Sequence, residues 1–150
     1  MYLTEARKTA VGRLLILAAA IIAVLSLAAA QAGSPAKGIK AATEAQRMDF
    51  IRSLGWEPVE DSETEKKIVL PEKLPGVLES YNRIQREAGY DLEKYCGKEI
   101  SVYTYDLTER CEDQRIQCTL FLFRNRIIGG DIHSTAFEGF MKPLAQKENG

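Results

Sequence analysis

The feature that most constrains this chain is an uncharged apolar run of 17 residues, LLILAAAIIAVLSLAAA, from Leu14 to Ala30. The run is apolar all round, and a helix of that kind is buried in a large core or in a membrane. Its length is the short end of the range for a membrane span and exceeds the usual core of a signal peptide. The sequence therefore predicts either a membrane anchor or an export signal, and a buried soluble helix is the remaining alternative.

The residues that flank the apolar run predict its orientation in the membrane. Residues 1–13 form a short basic flank with Arg7, Lys8 and Arg13, which is typical of the cytoplasmic side of an inserted segment. The tripeptide AQA at 30–32 matches the small-x-small pattern of signal peptidase sites and predicts a cut before Gly33. We favour a retained anchor, in which the lipid bilayer is a partner through Leu14–Ala30 and the C-terminal domain lies outside a single-pass cell membrane protein. The alternative is a secreted domain.

Beyond the apolar run the chain divides into a spacer, a domain and a tail. Residues 31–42 are small, polar and contain glycine and proline, which predicts a flexible spacer. Residues 43–144 are predicted to be one exported domain, and residues 145–150 a disordered tail. From Gly33 onward there are 17 basic and 20 acidic residues, a net charge of −3. That balance argues against a nucleic-acid partner and against attachment to an anionic lipid surface.

Hydrophobic periodicity predicts helices in the first half of the domain. Thr43 and Gln46 form a capping box at the start of the first helix, and Gly55 is placed to end it. A second helix starts near Leu74, and one further helical turn lies between Asp91 and Gly97. The apolar stripe of the second helix is predicted to face the core and consists of Leu74, Val77, Leu78, Tyr81, Ile84 and Ala88.

The last third of the chain is predicted to be a strand meander. Its strands are EISVYTYDL (99–107), CTLFLF (118–123) and RIIGGDI (126–132), with TERCEDQ (108–114) as a polar loop and Arg124-Asn125 as a tight turn. KKIVL (66–70) is a candidate fourth strand, and Thr135 with Glu138 forms a capping box for a short last helix. The predicted fold class is α+β: an N-terminal hydrophobic helix, then helices packed on a three- to four-stranded antiparallel sheet.

Several ordered strings in the chain resemble a known family. DFIRSLGWE, SYNRIQREAGYDL and IGGDIHSTAFEGFM resemble the family called domain of unknown function 4830, and the resemblance covers about Arg47 to Leu144. It implies a small exported or membrane-anchored protein of Gram-positive bacteria and brings no activity with it. Cys96 and His133 depart from the family pattern, which argues against a shared function for either residue.

The stretch IIGGDIHSTAFEGF (127–140) contains the residues that most resemble a site. Gly129 and Gly130 indicate a bulge or a close backbone approach within a strand, and Asp131 with His133 lies on one strand face. The structural interpretation is a strand-to-helix junction, and a binding role is the next alternative. A Ser-His-Asp relay would need a nucleophile such as Ser101 or Thr104, and no nucleophile motif accompanies the pair.

Three cysteines, Cys96, Cys111 and Cys118, leave at least one thiol unpaired within the chain. A disulfide between Cys111 and Cys118 would close the loop EDQRIQ, and three isolated thiols are the equal alternative. The chain has no Cys-x-x-Cys motif and a single histidine, so no metal site and no cofactor are predicted.

These features favour a membrane-tethered extracytoplasmic binding or interaction module of unknown ligand over an enzyme, and an extracytoplasmic protein is one candidate partner. The competing hypothesis is a small exported hydrolase that uses Asp131 and His133. The two differ in one respect: a hydrolase requires the pair to line a pocket and to reach a hydroxyl or thiol.

Overall fold

A computed structural model describes residues 38–147 of the chain. The predicted basic flank, the apolar run, the cleavage site and most of the tail lie outside the described residues. No helix within residues 38–147 is both long enough and apolar enough to cross a membrane.

The described residues form two α-helices, one 3-10 helix and a single sheet. In chain order the elements are α1 (Glu44–Ser53), β1 (Thr64–Val69), α2 (Gly76–Glu87), the 3-10 helix (Leu92–Tyr95), β2 (Glu99–Cys111), β3 (Gln114–Phe123), β4 (Arg126–Ser134) and β5 (Met141–Pro143). All neighbouring strands are antiparallel, in the order β1-β2-β3-β4-β5. The predicted α+β class is confirmed, but the sheet has five strands and not three or four.

Helix α1 covers one face of the sheet. The hydroxyl of Thr43 accepts the backbone N–H of Gln46, and the Gln46 side chain accepts the N–H of Thr43, so the predicted capping box is confirmed. Gly55 follows the helix with a φ of +85°, a conformation that glycine adopts at little cost. The core on this side contains Met48, Phe50, Ile51 and Leu54 from the helix region and Tyr105, Cys118, Leu120, Ile127 and Ile132 from the strands.

Helix α2 and the 3-10 helix cover part of the opposite face, over a smaller core of Leu70, Leu92, Ile100 and Ile128. The predicted core stripe of α2 is confirmed for Leu74 and Tyr81, which pack against this smaller core, and wrong for Val77. Val77 is 84% exposed, whereas the buried side chains of the helix are Asn82 and Gln85. The helix is rotated in this way because these two amides hydrogen-bond to backbone N–H groups of Leu92 and Gly130.

The far end of the sheet departs from the sequence prediction. The predicted loop TERCEDQ is mostly strand, because β2 continues to Cys111 and β3 begins at Gln114.

The predicted helix after Thr135 is absent from the described residues. The chain instead turns, with the Ser134 N–H donating to the Phe140 carbonyl, and Met141–Pro143 pairs with the edge of β4. Pairing with this edge outweighs the local capping signal.

The described part of the predicted spacer, residues 38–42, lies against the start of β4. The Ile127 N–H donates to the Ile39 carbonyl and the Ala41 N–H to the Asn125 carbonyl, both at 2.9 Å. Ala41 is fully buried. The folded domain therefore begins before residue 43.

Candidate functional site

A group of polar side chains lies on the α2 face of strands β2, β3 and β4, where Thr119 and Asp131 are buried and the others are half-buried. Direct cross-strand partners share a face of the sheet, and the register pairs Thr104 with Thr119 and Asp106 with Gln117 on β2 and β3. It then pairs Thr119 with Asp131 and Gln117 with His133 on β3 and β4. We call these six residues the polar strip: Thr104, Asp106, Gln117, Thr119, Asp131 and His133.

The glycine pair next to the polar strip lies at a bulge beneath α2. The register between β3 and β4 shifts at Phe121 and Leu122, opposite Gly129 and Ile127. The Gly130 N–H donates to Oε1 of Gln85 at 2.7 Å, and a Cβ on Gly129 would lie 2.7 Å from the same oxygen. Gly129 therefore lets the helix approach the strand backbone closely. The predicted strand-to-helix junction is wrong, because no helix follows β4 among the described residues.

Asp131 is the centre of the site. Its side chain is 5% exposed, and it accepts hydrogen bonds from the Tyr81 hydroxyl and, at 2.6 Å, from Nδ1 of His133. A buried carboxylate needs such partners because burial without them is costly. Since the bond to Asp131 uses Nδ1, the Nε2 atom of His133 is the ring nitrogen left for other contacts.

The environment shifts the pKa values of the groups around Asp131. The hydrogen bond from His133 to Asp131 and the charge of that carboxylate raise the pKa of His133, while burial opposes them. Burial first, then the charge and hydrogen bond of Asp131, raise the pKa of Tyr81. Burial also raises the pKa of Cys118, again with the Asp131 charge adding to it. The phenol and the thiol therefore remain protonated at neutral pH.

The raised pKa of His133 predicts a pH-dependent contribution to stability. A group whose pKa is higher when folded than when unfolded stabilises the fold fully below its unfolded pKa, and this stabilisation is lost as pH rises through the folded pKa. We expect the free energy of unfolding of the wild type, relative to His133→Asn, to be larger at pH 5.5 than at pH 8.5 in urea titrations. Asparagine keeps a hydrogen-bond donor and does not titrate, so an equal difference at both pH values would contradict the prediction.

Apolar side chains lie at the rim of the polar strip. Met141 on β5 pairs with His133 and is 48% exposed. Phe137, in the turn between β4 and β5, is completely exposed. Large exposed apolar side chains beside polar groups are the composition of protein-binding surfaces.

The geometry provides little of what a hydrolase requires. The hydroxyl bonded to the pair belongs to Tyr81 and donates to Asp131, not to His133. Ser101 is bonded to Glu65, and Thr104 lies two strands away from Asp131, about 10 Å at the usual strand spacing. Neither predicted nucleophile therefore reaches His133. The role of Tyr81 has no sequence signal, because 50 residues separate it from Asp131.

The three cysteines are free thiols in the structure. Cys118 is buried and pairs with Tyr105, whereas Cys111 is exposed and pairs with Gln114. The register thus places Cys111 and Cys118 at different positions along the hairpin, which fits the alternative of isolated thiols and not the disulfide. Among residues 38–147 no group of His, Cys, Asp and Glu side chains is arranged to hold a metal ion.

Comparison with known proteins identifies the family and no activity. No curated protein and no solved structure matches the chain. The family profile described as domain of unknown function (DUF4830) matches residues 50–132. This range contains α2, the bulge and Asp131, and ends one residue before His133. The chain therefore belongs to the domain of unknown function 4830 family.

Proposed function

We propose that the chain is a membrane-tethered extracytoplasmic binding module whose partner is a protein. The tether is the apolar run Leu14–Ala30, because its length and basic flank fit a segment inserted with its N-terminus inside. The observation that carries the binding role is the complete exposure of Phe137, in the turn that follows β4, together with the half-exposed Met141, which pairs with His133.

The chemistry of this surface favours a protein partner. Burial of an aromatic side chain and a methionine supplies most of the energy of a typical interface, and the polar groups around them supply specificity. Asp106 already accepts hydrogen bonds from Gln117 at 2.8 Å and from Arg115. The His133 side chain is 23% exposed, and its Nε2 atom is the ring nitrogen left for a carbonyl or a carboxylate of the partner.

Site-specific photocrosslinking tests the binding role. A photoreactive amino acid replaces Phe137 or Met141 in the full chain, in the cells that produce it. We expect a crosslinked adduct of defined mass from both positions, because both side chains would be buried by the partner. The same substitution at Val77, which is 84% exposed on α2, is the matched control. Equal crosslinking at Val77, or none at positions 137 and 141, would remove the proposed surface.

The tether has its own test. In fractionated cells we expect the intact chain in the membrane fraction. In protoplasts we expect added protease to cleave its C-terminal domain. The alternative is the same domain secreted after cleavage, and N-terminal sequencing of a product in the medium that starts at Gly33 would establish it.

A small exported hydrolase is the second candidate function, and one observation favours it. Nδ1 of His133 and Oδ1 of Asp131 are 2.6 Å apart, which is the geometry of an acid that orients an imidazole base. Since Ser and Thr nucleophiles are remote, such a base would have to activate water. Hydrolysis of a simple ester by the wild type that is lost in His133→Asn would support this function.

A further inference from the structure

Four exposed cations lie together at one end of the sheet. They are Lys40, Lys98, Arg124 and Arg126, and we call this surface the basic end. Lys40 forms a bridge with Arg126 at the start of β4, and Arg126 pairs with Phe123 across the β3–β4 turn. Lys98 immediately precedes β2, whose first residues pair with the last residues of β1 and β3. All four cations therefore lie at the same margin of the fold.

The basic end is not neutralised by the rest of the described domain. None of its four cations forms an ion pair with a carboxylate of residues 38–147. Glu99 and Glu72 are the acids nearby. Two of the cations rest on an aromatic ring: the Nζ atom of Lys98 is 5.2 Å from the ring centre of Phe123, and the Arg124 guanidinium carbon is 5.1 Å from it.

A cleft opens beside these cations. It has a volume of about 180 Å³, and its lining includes Lys67, Arg124 and Asn125 together with Ser101 and the carboxylate of Glu99. Two cations and an amide are donors that suit a phosphate group. The Ser101 hydroxyl already donates to Glu65, and Glu99 opposes an anion. The cleft is large enough for one lipid headgroup phosphate on the surface and not for an extended ligand.

The basic end contains the first described residue of the chain. The carbonyl of Gly38 accepts a hydrogen bond from Arg126. In the sequence, seven residues, 31–37, separate Gly38 from the end of the apolar run at Ala30. The opposite end of the sheet, at the β2–β3 turn, carries the acids Glu112 and Asp113 between Arg110 and Arg115, so these four residues have no net charge.

We propose that the basic end docks on the surface of an anionic lipid bilayer, so that the strands of the sheet point away from the bilayer. This inference rests on the proposed tether. The net charge of −3 argued against attachment to anionic lipid, but that sum ignores the separation of the charges along the sheet. Each basic side chain near an anionic bilayer strengthens association by about fivefold, and the carboxylates at the β2–β3 turn lie beyond the screening distance of about 10 Å.

Energy transfer from Cys111 to the bilayer tests this orientation. Cys111 is exposed at the end of β2, about 40 Å from Glu99 for 13 residues of strand. The full chain carrying Cys96→Ser is labelled with a donor dye at Cys111, because Cys118 is fully buried. It is placed in nanodiscs that contain headgroup acceptors in phosphatidylcholine alone or with about one-third phosphatidylglycerol. We expect lower transfer efficiency in the anionic discs, because docking lifts the label away from the lipid, and loss of this difference in 1 M salt.

Paired variants separate the basic end from net charge. The double variant Lys40→Gln/Arg124→Gln is expected to dock about 25-fold more weakly. Its transfer efficiency in anionic discs should return to the value in neutral discs. Arg83→Gln with Arg110→Gln removes the same charge from positions on α2 and near the β2–β3 turn and should behave as the wild type. Circular dichroism establishes that all variants are folded.

The outcomes are distinct. Equal transfer in neutral and anionic discs, a difference that survives 1 M salt, or equal loss in both double variants would overturn the docking and leave the tether intact. A chain that does not enter the discs would overturn the tether, and the docking with it.

Discussion

Replacing Gly130 by alanine is expected to lower the free energy of unfolding by about 3–5 kcal/mol, which combines backbone strain with overpacking. Gly130 has a φ of +152°, a conformation that side chains disfavour. A Cβ there would overlap the carbonyl oxygen of Thr119 on the neighbouring strand and lie 2.9 Å from Leu144. The overlapped atom belongs to the backbone of the central strand, so it cannot move without disturbing the sheet.

Two other glycines provide graded controls for Gly130→Ala. At Gly129 a Cβ would meet the Gln85 side chain at 2.7 Å, and a side chain can shift, so alanine is expected to cost about 1–2 kcal/mol. A Cβ added to Gly76, at the start of α2, would have no atom within 4 Å, so alanine there should stabilise by about 0.5–1 kcal/mol. Urea unfolding checks the order, and a loss at Gly130 no larger than at Gly129 would refute the explanation.

Replacing Arg47 by methionine is expected to cost about 3–5 kcal/mol, the usual result of breaking a buried ion pair. Arg47 is 5% exposed and donates from Nε and Nη2 to both carboxylate oxygens of Glu63, at 2.8 and 2.7 Å. It also donates to the Tyr105 hydroxyl and to the Ala41 carbonyl. Methionine fills a similar volume but leaves all these acceptors without their donor.

Two variants isolate the contribution of the Arg47 ion pair. Arg47→Met with Glu63→Leu is expected to recover part of the loss, since no uncompensated carboxylate remains. Arg52 lies on the same helix and pairs with Glu57 at the surface, so Arg52→Met should change the unfolding midpoint little. A double variant as unstable as Arg47→Met, or an equal loss at Arg52, would show that the buried pair is not the cause.

The sequence predicts the local structure of this fold better than its long-range contacts. The capping box at Thr43 and the turn at Arg124-Asn125, where both residues have positive φ, depend on neighbouring residues and are confirmed. The same kind of signal at Thr135 is misleading, because pairing of Met141–Pro143 with β4 decides the structure there. A single-sequence pattern contains no information about which strand edge remains unpaired.

The candidate site shows the same limit. Asp131 and His133 can be placed on one face from strand alternation, and their hydrogen bond follows from that spacing. Tyr81 packs against the smaller core, as its spacing predicts, but the spacing does not show that its hydroxyl donates to Asp131. Helical spacing places Arg47 on the apolar face with Phe50 and Ile51, but it does not identify the partner Glu63, which lies 16 residues away in the connector to β1. Buried polar partners of this kind depend on tertiary packing, which periodicity does not report.

The attachment of Gly38 to Arg126 has a consequence for biosynthesis. The two residues are 88 positions apart in the chain, and synthesis at 5–20 residues per second needs on the order of 10 s to cover that distance. The first strand-like segment of the domain thus waits without its partner until β4 has been made. A nascent chain that stalls before β4 would leave this segment open to proteases, which cut unpaired backbone readily. The segment at Gly38 would then become protected from proteases only once β4 has been synthesised.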